Sequence, residues 1–454
     1  MAEERDFVVE KNKRGFDTIL YEGYRYNKIK RVNQDQSTCW RCVKRNECNA
    51  SITVDVNLTT IIRKSHHTCQ ADHLGNELFI KTNIVKREVC KNLGPIKRIF
   101  EDIFDGINDA SAGPSRLPTF HDKKDCFYNA RKRYLGADRL SFNKLEDVVI
   151  PEALSENFLV AEDGTEEKIL IFMTKLSKKV MRKARLWFGD GTFKSVPRPF
   201  YQLFTLHMDL NSDKNTTNIV PILYALLPNK NQRTYIRLFE IIKKLGFKIH
   251  HFKCDYEIAI MNAVKYVFQE SNVSGCYYHY QRAVWKKAKE LKVNRTSVER
   301  RIVRMAAILP LLPAQFIPQG RQLILEKMES IHTDTMQQFR NYYERQWFRL
   351  SPSMLSCANQ RHRTTNSLEG WHHRLNVLIP QRPSLFYFIQ KLRKEAQHCN
   401  TRITNSLFQN LRKNRRNRDI DFDKKYRKIV RKLQSGELTV ENFLKKVIYI
   451  QLLI

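Results

Sequence analysis

The sequence predicts an α/β core with a helical insertion, preceded by a small β-rich module and a basic helical segment. Three observations lead to this prediction. Short β-prone runs fill roughly the first 75 residues, helical patterns follow, and apolar runs alternate with helical patterns from about Glu166 onward. With 454 residues, the chain has room for two or three domains and a sizeable core.

The composition is strongly basic along the whole chain. Lys and Arg number 80 against 47 Asp and Glu, a formal net charge of +33. Such a charge favours polyanionic partners, and nucleic acid is the typical one for a domain this basic. The charged first residues predict no signal peptide, and the apolar run near Ile219 is interrupted by Pro221 and too short to span a bilayer. We therefore expect DNA as a partner, no membrane, and a nuclear location.

Residues 1–75 are predicted to form a β-rich module stapled by zinc. So small a unit has too little core to be stable without a staple. Four cysteines lie between positions 39 and 69 with histidines beside them, which favours a metal site over disulfides. Because residues two apart in an extended segment share a face, Cys39 and His66 are expected to face away from the ligands. The predicted tetrahedral ligands are Cys42, Cys48, His67 and Cys69. The β-prone runs span 7–9, 18–21, 24–26, 37–42 and 50–54.

Two alternatives to this ligand set stay open from the sequence. Cys39 enters the set through a Cys-x-x-Cys pair with Cys42, or the cysteines are free surface thiols.

The module resembles the FLYWCH zinc finger. The family usually closes with His-x-His, so Cys69 is a departure that keeps the ligand chemistry, because thiolate also binds zinc. Such modules bind DNA or protein, and the resemblance does not choose between the two. The matching stretches are Leu20-Tyr-Glu-Gly-Tyr-Arg-Tyr26, Trp40-Arg-Cys42, Cys48 and His67-Thr-Cys69.

Residues 76–160 are predicted to be a basic helical segment. Helical patterns run over 83–91, 95–104 and 119–134, and a loop at Ser111–Ser115 precedes the last of them. Two interpretations are open: a DNA reader similar to a helix-turn-helix, or a linker bundle with a solvated charged face.

The segment from Leu186 onward predicts three strands, a helix, a strand, a helix and a strand. This order is the layout of the ribonuclease H-like fold, and Gly246 is a suitable stop for the first helix. The predicted strands span 186–190, 201–208, 219–227, 247–254 and 275–279, with helices over 234–245 and 256–268 and a further apolar run at 169–173.

Three acids occupy positions that favour divalent-metal chemistry. Asp190 ends an apolar run between two glycines, which are expected to let a substrate approach the backbone, and Asp255 ends another such run. Glu369 lies in the first turn of a predicted helix. Hard oxygen ligands from three parts of one basic chain suggest two metal ions acting on phosphate. Taken singly, Asp190 could start a turn, Asp255 could cap a helix, and Glu369 could complete a capping box with Asn366.

Residues 165–380 resemble the transposase domain of Mutator-like elements, a DDE-type family. The resemblance implies that Asp190, Asp255 and Glu369 bind Mg²⁺ or Mn²⁺ and are catalytic, and that the helical stretch before Glu369 is an insertion. It also implies an accessory role for Cys276 and His279 on a strand facing the site, although an ordinary buried pair is equally consistent. The matching motifs are Asp190-Gly-Thr-Phe-Lys, Cys254-Asp-Tyr-Glu-Ile-Ala-Ile, Cys276-Tyr-Tyr-His279 and Asn366-Ser-Leu-Glu-Gly-Trp-His.

The predicted function is that of a Mutator-like DDE transposase, or a protein derived from one, that binds DNA as a homodimer and cleaves and joins strands. The alternative is a zinc-finger DNA-binding regulator that no longer catalyses.

Two further features have more than one interpretation. Trp285 and Trp347 are candidates for stacking on an unpaired base or for helix packing. The basic run at residues 412–418 is a candidate for nuclear import, for DNA contact or for an ordinary solvated surface. The predicted domains are a finger (1–75), a basic helical segment (76–160), a first part of the core (161–284), a helical insertion (285–360), the third-acid helix (361–385) and a basic helical C-terminal region (386–454).

Overall fold

The computed structural model describes residues 6–32, 35–107, 117–408 and 413–452. The chain divides into two units, Met1–Leu140 and Ser141–Ile454. The predicted loop at Ser111–Ser115 and residue Arg412 of the predicted basic run lie outside the described residues.

The first unit contains an antiparallel sheet of six strands in chain order. The five predicted strands are present, and Trp40 is fully buried between them. The sixth strand was not predicted, because its run Ile-Ile-Arg-Lys lies at the sheet edge, is mostly exposed and shows no alternation. The strands are β1 (Val8–Lys11), β2 (Asp17–Tyr21), β3 (Tyr24–Val32), β4 (Thr38–Cys42), β5 (Ser51–Val54) and β6 (Ile61–Lys64).

Three helices complete the first unit: α1 (His73–Lys91), α2 (Ile96–Phe104) and α3 (Phe120–Leu135). Helix α1 begins ten residues before the predicted start, where Asp72 accepts a hydrogen bond from the Gly75 N–H. On the sheet side, the Arg87 guanidinium lies 2.7 Å from the Glu10 carboxylate. The helices share a core built on Val85, Val89, Phe100 and Phe127.

Arg131 of α3 is buried and ties α3 to the end of α1. Its guanidinium donates hydrogen bonds to the backbone oxygens of Val89, Asn92, Leu93 and Gly94. Burial lowers the pKa of Arg131 to about 10. This cation therefore caps the carboxyl end of α1 and does not face an external anion.

The second unit is organised around a seven-stranded mixed sheet in the order β14-β13-β9-β10-β12-β8-β7. Strand β13 is parallel to both of its neighbours, β9 and β14, and the other pairs are antiparallel. The strands are β7 (Leu159–Asp163), β8 (Ile169–Phe172), β9 (Leu186–Thr192), β10 (Gln202–Asp209), β12 (Ile219–Leu227), β13 (His251–Cys254) and β14 (Asn272–Gly275), and the short pair β11 (Thr216–Thr217) and β15 (Lys413–Asn414) lies apart.

Helices make up most of the remainder of this unit. One apolar core runs from the sheet through the helices after β14 to the C-terminal helices. No described helix is long and apolar enough to cross a membrane. The helices are α4 (Glu152–Ser155), α5 (Lys175–Val180), α6 (Gln232–Lys244), α7 (Ile258–Val267), α8 (Tyr277–Glu290), α9 (Ser297–Ile308), α10 (Ile317–Glu329), α11 (Asp334–Trp347), α12 (Pro352–Leu355), α13 (Asn366–Leu378), α14 (Leu385–Phe408), α15 (Asn417–Gln434) and α16 (Val440–Leu452), with 3₁₀ turns at Met181–Lys183, Leu309–Leu311 and Ala314–Phe316.

The predicted order of three strands, helix, strand, helix and strand is present, but the predicted position of the last strand is wrong. Strand β14 ends at Gly275, Cys276 is the N-cap of α8, and His279 lies in the first turn of that helix. The prediction was wrong because Cys-Tyr-Tyr-His has high β-propensity, whereas in the structure these residues form the start of helix α8. Cys276 and His279 are neighbours through helical spacing, not as strand residues that face one side.

The two glycines beside Asp190 are required by packing. A β-carbon at Gly189 would collide with the rings of Phe252 and Phe204, and one at Gly191 would collide with the Gln202 side chain. The space that the sequence suggested for an approaching substrate is therefore filled by side chains of the neighbouring strands. Asp190 itself lies inside β9, paired with Thr205 of β10, and does not start a turn.

Candidate active site and zinc centre

The four predicted zinc ligands lie together in the first unit. Their ligand atoms are all within 4.8 Å of one another, and no other group of three or more His, Cys, Asp or Glu in the described part of the chain is as compact. Cys42 Sγ lies 3.8 Å from Cys69 Sγ, and His67 Nδ1 lies 3.3 Å from Cys48 Sγ and 3.6 Å from Cys69 Sγ. Ligands around a tetrahedral zinc ion are separated by roughly 3.5–3.8 Å, given its bond lengths. The residues therefore fit a structural zinc ion.

The ring of His67 is oriented by two tyrosines. Its Nε2 lies 2.6 Å from the Tyr26 hydroxyl, which leaves Nδ1 directed at the cysteines, and the ring stacks on Tyr24 with centroids 3.5 Å apart. A metal-binding imidazole is typically held in place by a hydrogen bond at the ring nitrogen that does not bind the metal. Cys39 and His66 lie elsewhere: Cys39 Sγ is 3.8 Å from the Thr53 hydroxyl, and His66 is exposed.

The thiols of the cluster differ in pKa. Burial opposes ionisation of Cys48, but hydrogen bonds from the backbone of Ala50, Cys69 and Thr68 lower its pKa to about 5. Burial and the hydrogen bonds to Cys48 and Cys42 raise the pKa of Cys69 to about 11. One thiolate is therefore already stable near neutral pH, which favours metal capture.

The acids of the second unit come from the carboxyl ends of neighbouring parallel strands. His251 of β13 pairs with Leu186 of β9 and with Asn272 of β14. Four residues further along the chain stand Asp190, within β9, and Asp255 and Cys276, which directly follow β13 and β14. The three therefore lie at one level across strands that are about 4.8 Å apart.

Helix α13 brings Glu369 to the same end of the sheet. Leu368 is fully buried against Phe188 of β9 and Ile219 of β12. Glu369 Oε1 lies 3.4 Å from His279 Nε2, is buried, and has no hydrogen-bond partner in the described residues. The helix is capped by Thr365 without a side-chain hydrogen bond, so Glu369 does not complete a capping box with Asn366.

The charges of these acids interact. Burial raises the pKa of Asp255 to about 6, and the negative charges of Asp190 and Glu257 add to the shift. Asp255 also accepts a hydrogen bond from the Glu257 N–H, which is a minor opposing effect. The three predicted acids do not form a group as compact as the zinc cluster among the described residues. Hard cations such as Mg²⁺ would relieve the mutual repulsion of the acids and bind the Glu369 oxygen that lacks a hydrogen bond among the described residues, so the donor set fits them.

Cys276 and His279 join the end of β14 to the start of α13. The thiol accepts a hydrogen bond from the backbone N–H of Thr365. Burial opposes ionisation of Cys276, but its pairing with His279 and with Thr365 lowers the pKa of the thiol. The same pairing, with the charges of Asp255 and Glu369, raises the pKa of His279 to about 9 despite burial. The protonated imidazole therefore lies among the carboxylates and holds Glu369 near them.

Sequence reasoning missed a second histidine at this site. His372, one helical turn after Glu369, places its Nδ1 3.2 Å from Asp190 Oδ2, and its Nε2 lies 2.9 Å from the Thr205 hydroxyl. Thr205 also lies 3.1 Å from His207 Nε2. Burial holds the pKa of His207 well below its usual range, so this ring is neutral. A consistent assignment of these three contacts is that His207 donates to Thr205, Thr205 to His372, and His372 to Asp190.

The fourth acid near the site, Glu257, was also missed. Its Oε1 accepts a hydrogen bond of 3.0 Å from the Tyr235 hydroxyl. Burial raises the pKa of Glu257, and the charge of Asp190 adds to the shift. Its spacing of two residues from Asp255 was the available signal.

The two tryptophans proposed for base stacking have different environments. Trp347 is 2% exposed, and its ring centroid lies 4.4 Å from that of Tyr280. Packing therefore accounts for Trp347. Trp285 is half-buried and lines a recess of about 510 Å³ together with Phe422 and Arg304, so stacking stays a prediction for this residue alone.

Comparison with known protein families finds one match within each unit. Residues 186–282 match the MULE transposase domain, and residues 9–68 match the FLYWCH zinc finger domain. Both resemblances inferred from the sequence are thereby confirmed. Together the two domains support a transposase-related DNA-binding protein, and the finger with its Cys/His cluster supports structural Zn²⁺. No curated protein matches the chain.

Each match stops short of one predicted ligand. The transposase match includes Asp190, Asp255, Cys276 and His279 but ends before Glu369. The finger match ends at residue 68, immediately before Cys69. The placement of these two residues beside their partners therefore comes from the structure alone.

Proposed function

We propose that residues 141–454 contain a ribonuclease H-like catalytic core that cleaves and joins DNA strands by phosphoryl transfer at Asp190, Asp255 and Glu369. The observation that carries the proposal is the convergence of these acids at one end of the sheet, where burial and the charge of Asp190 raise the pKa of Asp255. Such clusters of like charges are costly unless a cation or a reaction uses them.

Two divalent ions, Mg²⁺ or Mn²⁺, bound by these carboxylates would supply an activated attacking oxygen and stabilise the leaving oxygen. The residues of the chain prepare this centre. Asp190 keeps lone pairs for metal although Gly191 N–H donates to Oδ1 and His372 lies against Oδ2. His279 holds Glu369 in place.

The first unit would select and hold the DNA. Its zinc finger and the basic exposed residues of its helices suit a phosphate backbone, and the high positive charge of the chain supports binding to DNA in general. With such a substrate the protein would work in the nucleus, and we propose that it acts as a homodimer on DNA.

The proposal is tested by strand cleavage of the element's own terminal repeats with Mg²⁺ or Mn²⁺. Asp190→Asn, Asp255→Asn and Glu369→Gln are each expected to abolish cleavage while DNA binding stays near normal, because binding rests on Lys and Arg. Glu329→Gln, an exposed acid of α10, is the matched control and should cleave as the wild type does.

Two results would count against the proposal. A triad variant that cuts at a rate near that of the wild type is not a metal ligand. If the wild type binds the repeats but cleaves none of them with either metal, the result supports the alternative function of a DNA-binding regulator that does not catalyse.

A further inference from the structure

An open recess of about 600 Å³ lies at the amino ends of β9 and β13, opposite the end that carries the acids. Its wall combines the segment that leads into β9 with the segment that leads into β13. All of its ionisable lining residues are basic, and no carboxylate lines it. We call it the basic recess and define it by Arg182, Lys183, Arg185, Lys248, His250 and His251.

The backbone that carries these side chains is anchored in the core. Met181 and Ala184 are buried on either side of exposed Arg182 and Lys183. Phe247 and Ile249 are likewise buried around exposed Lys248. The backbone oxygen of Lys248 accepts a hydrogen bond of 3.0 Å from the indole of Trp187, and that of His250 accepts one of 2.8 Å from the Asn272 N–H. The cations are therefore presented outward from a fixed frame.

No side chain of the basic recess has a hydrogen bond, ion pair or ring contact with another described residue. This contrasts with other cations of the same unit: Arg237 lies against Asp163, and Arg363 lies 2.7 Å from Asp423. Four permanent positive charges thus share one recess with no carboxylate to offset them. Their repulsion is relieved only by solvent or by an anion.

Helix dipoles explain only part of this arrangement. Arg182 and Lys183 follow the short helix α5, where cations favour the carboxyl end. Arg185, Lys248 and the two histidines belong to no helix. An adjoining recess of about 1020 Å³ shares Lys248 and His250, adds Lys243 and Lys244, and exposes Tyr266, although it also contains two glutamates.

We propose that the basic recess binds the phosphate backbone of a stretch of DNA other than the one that reacts at the acids. Strand β9 separates the recess from Asp190 by four residues, about 13 Å of extended chain, and the two ends of the strand face away from each other. The recess and its neighbour share Lys248 and His250, so their cations are spread over one extended surface, which suits successive phosphates better than a single small anion. The proposal rests on DNA being the substrate, as inferred above, but not on catalysis.

The test is the salt dependence of DNA binding by the full chain without divalent metal. The variant Arg182→Gln/Arg185→Gln/Lys248→Gln removes three exposed charges that have no partner in the described residues, so the fold should be unaffected. For a duplex of unrelated sequence, the slope of log K against log salt concentration is expected to become shallower by about 2 to 3, since each lost phosphate contact removes about 0.9. The charge-matched control is Lys289→Gln/Arg300→Gln/Arg301→Gln, on exposed positions of α8 and α9, with an expected change below about 1.

A second measurement locates the contact directly. In amine labelling of the wild-type chain, the duplex should protect Lys183 and Lys248 but not Lys289. An unchanged slope in the recess variant, an equal change in the control, or no protection of Lys183 and Lys248 would overturn the proposal.

Inorganic pyrophosphate separates a DNA site from a small-anion site. If pyrophosphate stabilises the wild type but not the recess variant while the DNA slope is unchanged, the recess binds a small anion and the proposal fails. None of these measurements requires cleavage. If the wild type cleaves no DNA but the two variants show the predicted slopes, the proposed catalysis is wrong and the DNA-binding role of the basic recess stands. If the wild type cleaves DNA but the recess variant has the same salt slope as the wild type, the DNA-binding role of the basic recess is wrong and the proposed catalysis stands.

Discussion

The two candidate metal centres of this chain are built in opposite ways. The zinc ligands lie within one small sheet and its C-terminal extension, and their atoms already form a compact group. The acids come from two strands and a distant helix, and no such compact group brings them together in the described residues. At the zinc cluster one thiol has a lowered pKa, whereas at the acids Asp255 has a raised one.

The difference reflects what each site does for the fold. A closed Cys/His site in a small module uses the metal to supply folding free energy. Carboxylates on a large sheet are held together by the core around them, and their repulsion costs stability until a cation arrives. Removing a ligand should therefore destabilise the first centre and can stabilise the metal-free form of the second.

The largest expected effect is loss of zinc. Cys42→Ser or His67→Ala should lower the zinc content from one ion per chain to nearly none and unfold the finger, because structural zinc supplies about 10–16 kcal/mol of binding free energy in isolated fingers. Metal analysis and circular dichroism after dialysis measure this. Cys39→Ser and His66→Ala are the matched controls and should keep the metal, while zinc retained in Cys42→Ser would show that the ligand set is wrong.

A buried ion pair within the second unit tests how much the fold around the acids depends on charge pairing. The Asp423 carboxylate, 4% exposed, accepts hydrogen bonds of 2.7 Å from Arg363, which precedes α13, and from Arg415. Asp423→Ala leaves two cations without their partner and should lower the free energy of unfolding by about 3–5 kcal/mol. Asp421→Ala, which removes an exposed carboxylate 3.7 Å from Lys424, should cost less than about 1 kcal/mol in the same denaturant titration. Equal losses would contradict the role given to Asp423.

Asp255 tests the expectation that loss of a ligand changes the stability of the metal-free protein in opposite directions at the two centres. Its pKa is raised from 3.8 to about 6, so ionisation costs the folded state stability. In metal-free protein the free energy of unfolding should fall as pH rises from about 4 to about 6, by at most about 3 kcal/mol. Asp255→Asn should remove this dependence and raise Tm above pH 6, and Mg²⁺ should stabilise the wild type more than the variant. A lower Tm for the variant at pH 8 without metal would show that repulsion does not govern the site.

The smallest expected effect concerns the histidine that orients Asp190. His372→Ala should slow cleavage about 10–100-fold, as for other groups that position a metal ligand, and should raise the Mg²⁺ concentration needed for half-maximal rate. This corresponds to about 1.4–2.7 kcal/mol in the barrier. His373→Ala, the exposed neighbour, is the control. Equal rates in the two variants would mean that the contact with Asp190 has no part in the reaction.

Much of the chain was predictable where structure follows local pattern. The order of strands and helices after Leu186, the start of α3 next to Thr119 and the grouping of Cys42, Cys48, His67 and Cys69 all appear as expected. The errors fall where a local pattern is ambiguous. Cys-Tyr-Tyr-His has the composition of a strand but starts a helix, and α1 begins through residues with weak helix propensity because Asp72 caps them.

The amino-acid sequence alone was enough to predict the types and spacing of the ligands, the succession of strands and helices along the core and the positive charge of the chain. These follow from hydrophobic periodicity, turn residues and the chemistry of Cys, His, Asp and Glu, all of which act over a few residues. Three features became visible only in the folded chain: His372 contacts Asp190, the glycines beside Asp190 serve packing, and cations without partners in the described residues meet at the opposite end of the sheet. Contacts between residues far apart in sequence depend on register and on which side chains the core leaves exposed, and no local pattern encodes either.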